Sequence, residues 1–98
     1  MYMKVHTKQN EVVVALCDKE LIGTVLDDGR TYMDLDTYRN FYVGKISTES
    51  EVREALKKFT SANFVGKKAV GIAISLGLVE KNDIKNINKV PYIQVYNI

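Results

Sequence analysis

Ser61-Ala-Asn-Phe-Val-Gly-Lys-Lys68, running on into the uncharged stretch Ala69 to Val79, is the part of the chain whose reading decides the fold. Small polar residues at 61–63 predict a turn. Asn63 has the side chain to cap a helix whose apolar residues continue to Leu76. Gly77 then predicts a left-handed stop, with Leu78 folding back onto the last turn. Val70 and Ile74 lie almost opposite Ala69, Ile72 and Leu76, so the helix over residues 66–77 has little polar face. Such a helix is either central in the fold or shared with a second copy. Gly71 inside it costs about 1 kcal/mol relative to alanine, which predicts another backbone packed close by. Two lysine pairs, Lys57-Lys58 and Lys67-Lys68, bracket the turn. A helix start offers free N–H groups and the positive end of the dipole, so lysines beside it predict an anion site.

Upstream, Thr48 and Glu51 fit a capping box, and Val52, Leu56 and Phe59 follow at helical spacing. Before Ser47 the period is two. Tyr2 to Lys8 alternates as a strand with one solvated face, Gln9-Asn10 predicts a turn, and Val12 to Cys17 reads as a strand buried on both faces. Leu21 to Leu26 can resume extended structure around Gly23. Asp27-Asp28-Gly29-Arg30 carries a hairpin signal, and Tyr32 to Tyr38 alternates again. The first 46 residues thus predict a small antiparallel meander. Asn82-Asp83 predicts a short helical turn, and Pro91 opens a last strand, Tyr92 to Tyr96. The whole reads as one α+β domain over residues 1–98, an antiparallel sheet with about two helices packed on one face.

The formal charge of the 98 residues is +2, unevenly placed. Residues 1–46 carry six Lys/Arg against seven Asp/Glu, and residues 47–98 carry eight against five, so a polyanion fits the C-terminal half better. One cysteine cannot form an internal disulfide, which fits a reducing compartment. The N-terminus lacks the apolar core of a signal peptide, and the longest uncharged run, 11 residues, is short of the about 20 that a membrane span needs. A cytoplasmic protein with no membrane segment is expected. No metal site or cofactor is expected either. One cysteine and one histidine cannot complete a zinc shell, and Asp27, Asp28, Asp34 and Asp36 lack calcium-loop spacing. Gly66, Gly71 and Gly77 form no phosphate-loop or dinucleotide fingerprint.

Six pieces of the chain carry a family resemblance: Cys17-Asp-Lys-Glu-Leu-Ile-Gly23, Phe41-Tyr-Val-Gly44, Ala62-Asn-Phe-Val-Gly66, Ala69-Val70, Gly77-Leu78 and Val90-Pro-Tyr-Ile-Gln94. In this order, over most of the chain, they resemble a family of small archaeal proteins classed as a domain of unknown function, number 424. The resemblance implies an RNA-binding role tied to translation. The family pattern has histidine where this chain has Tyr92, which speaks against a shared histidine-based reaction.

Three functions follow as expectations. The first is a non-enzymatic RNA-binding module. Lys57, Lys58, Lys67 and Lys68 would contact phosphates, with Ser61, Asn63 and backbone amides orienting them. Tyr92 and Tyr96 would offer rings for stacking, and Gln94 an amide for a base edge, on a strand face. Tyr2, Lys4, His6 and Lys8 would join them if the two strands are neighbours. The second is a protein–protein adaptor or homodimer using the apolar helix 66–77. The third is a small enzyme centred on Cys17, which needs His6 as its base.

Overall fold

The computed structural model describes residues 1–97. Strand β1 (Tyr2–Lys8) and the valine-rich β2 (Glu11–Cys17) form an antiparallel hairpin. Gln9-Asn10 closes it, bringing Lys8 opposite Glu11. The decisive stretch departs from expectation. Ser61–Val65 is not a turn and helix start but a strand, β6, parallel to β2 on one side and antiparallel to β8 (Val90–Tyr96) on the other. Asn63 therefore caps no helix. Phe64 and Val65 suit a pleated surface, and a central position gives the segment ladder partners on both sides, an advantage no local helix signal carries. The sheet is mixed rather than wholly antiparallel, in the order β5-β1-β2-β6-β8-β7, with β5 (Lys45–Ile46) and β7 (Lys85–Ile87) at its edges.

The predicted meander also changes. Strands β3 (Val25–Asp27) and β4 (Tyr32–Asp34) form a separate ribbon around the Asp27–Arg30 turn. The extended segment expected over 32–38 stops at Asp34, whose carboxylate accepts the N–H groups of Asp36 (3.0 Å) and Thr37 (2.8 Å). That turn delivers the short helix α1 (Arg39–Tyr42), which the alternation concealed. A 3₁₀ turn at Lys19–Leu21 replaces the start of the expected 21–26 strand.

Helix α2 (Glu49–Ala55) opens with the predicted capping box between Thr48 and Glu51. The Lys45 ammonium hydrogen-bonded to Glu51, with the Thr48 N–H beside it, holds this carboxyl down at about 2. Helix α3 (Lys67–Ser75) ends as read from the sequence. Gly77 has φ +71°, its N–H reaches the Ile74 carbonyl (3.0 Å), and the Leu78 N–H reaches that of Ala73 (3.0 Å). This is a Schellman stop. A 3₁₀ turn at Lys81–Asp83 matches the short turn expected there.

Both longer helices cover one face of the sheet. Val52, Leu56 and Phe59 from the α2 segment, and Ala69, Val70, Ile72 and Ala73 from α3, pack on Val14, Leu16, Ala62 and Phe64. The apolarity of residues 66–77 is accounted for by this burial. Lys67, Lys68, Gly71 and Ser75 form the solvated stripe of α3, so the helix is amphipathic rather than apolar all round. A Cβ at Gly71 would meet open space, so the close backbone contact expected there is absent. On the other face a smaller cluster, Cys17, Leu26, Leu35, Val65 and Ile87, lies under the β3–β4 ribbon.

Candidate nucleic-acid interface

The start of α3 is built by a residue far away in sequence. Asp18, 2% exposed, accepts the N–H of Lys68 (3.0 Å) and of Ala69 (2.9 Å) on its two carboxylate oxygens. Charge-assisted bonds of this kind contribute about 1.5–3 kcal/mol each. Gly66 makes the approach possible. It sits at φ +105°, and a Cβ there would fall inside the Asp18 carboxyl. The anion expected at this helix start is thus the chain's own carboxylate, which also offsets the adjacent lysines. The backbone amides assigned to a phosphate are already in use.

The two lysine pairs are not brought together. Lys57 and Lys58 precede β6 and Lys67 and Lys68 follow it, so five extended residues, about 16 Å, lie between them. Lys57 is exposed and paired with Glu54 at 2.8 Å, while Lys58, Lys67 and Lys68 are also exposed. Each pair stands beyond one end of the central strand. Lys57-Lys58 lies toward Tyr96, the register partner of Ser61, and Lys67-Lys68 toward Tyr92, the partner of Val65.

What the fold does assemble is the sheet face away from α2 and α3. Residues directly opposite on paired strands share a face. Asn63 pairs with Gln94, Val65 with Tyr92, Ser61 with Tyr96, and Tyr92 in turn with Lys85. All of these point to the same side. A groove of about 390 Å³ runs along β6 and β8, lined by Asn63, Gln94, Tyr92, Tyr96 and Lys85, with Met33 and Tyr42 as its wall. Tyr92 and Tyr96 are four residues apart on one strand, about 13 Å, with Gln94 between them. Tyr96 is 66% exposed. Burial, with the nearby Cys17 adding to it, pushes the Tyr42 hydroxyl up to about 12, so it stays a protonated donor beside the groove. Sequence reasoning selected Asn63, Tyr92 and Gln94 but missed Lys85, Met33 and Tyr42. Lys85 was findable, since Lys85-Asn-Ile followed by Asn88-Lys89 and a strand has the form of a hairpin.

The β1 residues stay apart from the groove. Tyr2, Lys4 and His6 share its sheet face, yet β2 and β6 separate them from β8. Lys4 donates to the Asn40 carbonyl (2.7 Å), and His6 Nε2 lies 2.8 Å from the Phe41 carbonyl oxygen.

The small-enzyme reading centred on Cys17 does not assemble. Cys17 is fully buried and stands opposite Tyr2, whereas His6 stands opposite Val13. Burial, reinforced by the charges of Asp18 and Glu20, pushes the thiol up to about 12. A nucleophilic thiolate needs the reverse environment. The four aspartates of the ribbon serve their own turns. Asp27 accepts from Gly29, Asp28 from Arg30 and Thr31, and Asp36 pairs with Arg39. Among the described residues there is no helix long and apolar enough to cross a membrane.

The family model for proteins of unknown function named DUF424 matches residues 6–98. A crystal structure of an uncharacterized conserved protein from Methanopyrus kandleri is similar over 97% of this chain and 89% of that one, with a TM-score of 0.80 and 26% identity. No curated protein matches.

Proposed function

The chain belongs to the DUF424 family, and we propose that it is a non-enzymatic RNA-binding module that takes a single-stranded segment in the groove along β6 and β8. One observation carries the reading: the facing carboxamides of Asn63 and Gln94, set between Tyr92 and Tyr96 on an open sheet face. Tyrosine rings stack bases regardless of sequence, and carboxamides present a donor and an acceptor to a base edge. The 13 Å between the tyrosines, about two nucleotide steps of an extended strand, makes room for a base over Gln94. A duplex has no unstacked base to offer such a platform. Lys85 meets a phosphate at the groove, and Lys57, Lys58, Lys67 and Lys68 meet the strand beyond its two ends. The protein acts in the cytoplasm, in association with translation.

The test is fluorescence anisotropy of a labelled single-stranded RNA across a salt series. Affinity that falls log-linearly with salt is expected, with several phosphate contacts in its slope. Tyr92→Ala and Tyr96→Ala should each weaken binding by about 5- to 100-fold, the scale of one lost stack. Changing the four lysines to glutamate should flatten the salt dependence. No binding at low salt, or binding indifferent to the two tyrosines, would end this reading. Co-sedimentation with ribosomal fractions tests the association with translation separately.

A further inference from the structure

On the far side of the Met33–Tyr42 wall lies a second cleft of opposite character. Tyr32, Asp34, Tyr38 and Phe41 join Met33 and Tyr42 around about 340 Å³. Two of its tyrosines are unusually open, Tyr32 at 62% and Tyr38 at 67% exposed. The floor is fixed. Phe41 stacks on the His6 ring at 4.7 Å and 15°, and meets Tyr42 edge-on at 5.0 Å. Asp34 is held in place by the two N–H groups that it caps, with one oxygen 3.4 Å from the Tyr32 hydroxyl. Its charge raises the Tyr32 phenol above the ordinary value, the sign of a negative field at the cleft.

The charge of the surrounding segment agrees. Residues 25–42 hold Asp27, Asp28, Asp34 and Asp36 against Arg30 and Arg39, which is 2 − 4 = −2 in a chain of +2. The rest of the molecule therefore carries +4. A surface of this kind repels phosphate and attracts cations. Exposed tyrosine rings beside a carboxylate suit a guanidinium, which is planar, stacks on aromatic faces and donates in a fork to carboxylate oxygens. Tyrosine is also a residue type enriched where proteins bind one another.

We propose that this cleft is a protein-docking site which receives an arginine side chain from an extended segment of a basic protein. It does not depend on the RNA groove. A module built this way holds RNA on one side of the Met33–Tyr42 wall and a basic protein on the other.

The experiment is an NMR titration of the ¹⁵N-labelled full chain with the peptide acetyl-Gly-Arg-Gly-Arg-Gly-amide at low salt. Saturable shifts confined to the Tyr32–Tyr42 segment are expected, with a Kd of about 1 mM for so short a probe. The double variant Tyr32→Ala/Tyr38→Ala should weaken binding at least about fivefold, the scale of a cation–π contact. Tyr32→Phe/Tyr38→Phe, which keeps the rings, should retain it and guards against a misfolded alanine variant. Three results would each overturn the proposal: no shifts with the arginine peptide, equal shifts with an all-glycine peptide of the same length, or shifts of this segment by single-stranded RNA instead.

Discussion

The two faces of β6 differ in what they are asked to hold. Ala62 and Phe64 point under α2 and α3 into a dry core, and both are fully buried. Asn63, one residue away, points to the other side, where only the ribbon and α1 cover the sheet and the groove stays open. One strand thus carries a fully buried face at Ala62 and Phe64 and, one residue out of phase, a face that opens at Asn63 between the buried Ser61 and Val65. The lesson is that the packing of the core and the proposed binding can be tested apart, by single substitutions on neighbouring residues.

The comparison breaks most visibly at Phe64. Phe64→Ala should cost about 3–5 kcal/mol in denaturant unfolding, since it leaves a cavity among Leu16, Val52 and Ile72 that cannot fully collapse. A loss under about 1 kcal/mol would mean that the helix face is not the principal core. Next comes the joint at the end of the strand. Gly66→Ala should cost about 3 kcal/mol, combining strain at φ +105° with displacement of Asp18. Asp18→Ala should cost about 2–4 kcal/mol and lower helicity by circular dichroism, because the buried Ala69 amide and the half-buried Lys68 amide lose their acceptor. If Asp18→Ala left both readings unchanged, the capping role would be wrong.

Smaller effects sharpen the contrast. Thr48→Ala should cost about 1 kcal/mol through the lost cap of α2. The partner carboxyl gives a pH signature. Glu51 is held below its ordinary value of 4.5, so its contribution is fully present above that pH and is lost as pH falls toward about 2. Urea midpoints followed over this window should fall more steeply for the native chain than for Glu51→Gln. Parallel curves would remove the assignment. Smallest of all, Gln94→Ala should change stability by less than about 0.5 kcal/mol while weakening RNA binding.

Features set by neighbours in sequence were legible. Thr48 and Glu51 form the expected box, Gly77 and Leu78 the expected stop, and Asp27 to Arg30 the expected turn, because each is decided within a few residues. Val52 and Leu56 fall in the core as helical spacing requires, whereas Phe59, beyond the end of α2 at Ala55, reaches the core from the following turn. What escaped was set at long range. Ser61 to Val65 has a helix-like preface, yet pairing with β2 and β8 makes it a strand, and no local signal announces partners at such separation. For the site, Asn63, Tyr92 and Gln94 were chosen for their chemistry alone. Their meeting in one groove depends on register, which the sequence does not display. Asp18 caps a helix 50 residues further on, a partner that nothing in its own neighbourhood announces.

That cap has a consequence for how the chain can be cut and how it forms. The carboxylate and the amides that it holds are 50 and 51 residues apart, so α3 lacks a proper beginning until β2 is in place. A fragment starting at Ser61 would carry the helix sequence without the group that starts it. During synthesis the order is favourable, because Asp18 emerges well before Lys68. The residues of β1, β2 and Asp18 are therefore already present, ready to pair, when the last third of the chain appears. Folding should be all-or-none, with no separately stable halves, and its rate governed by closing that long loop.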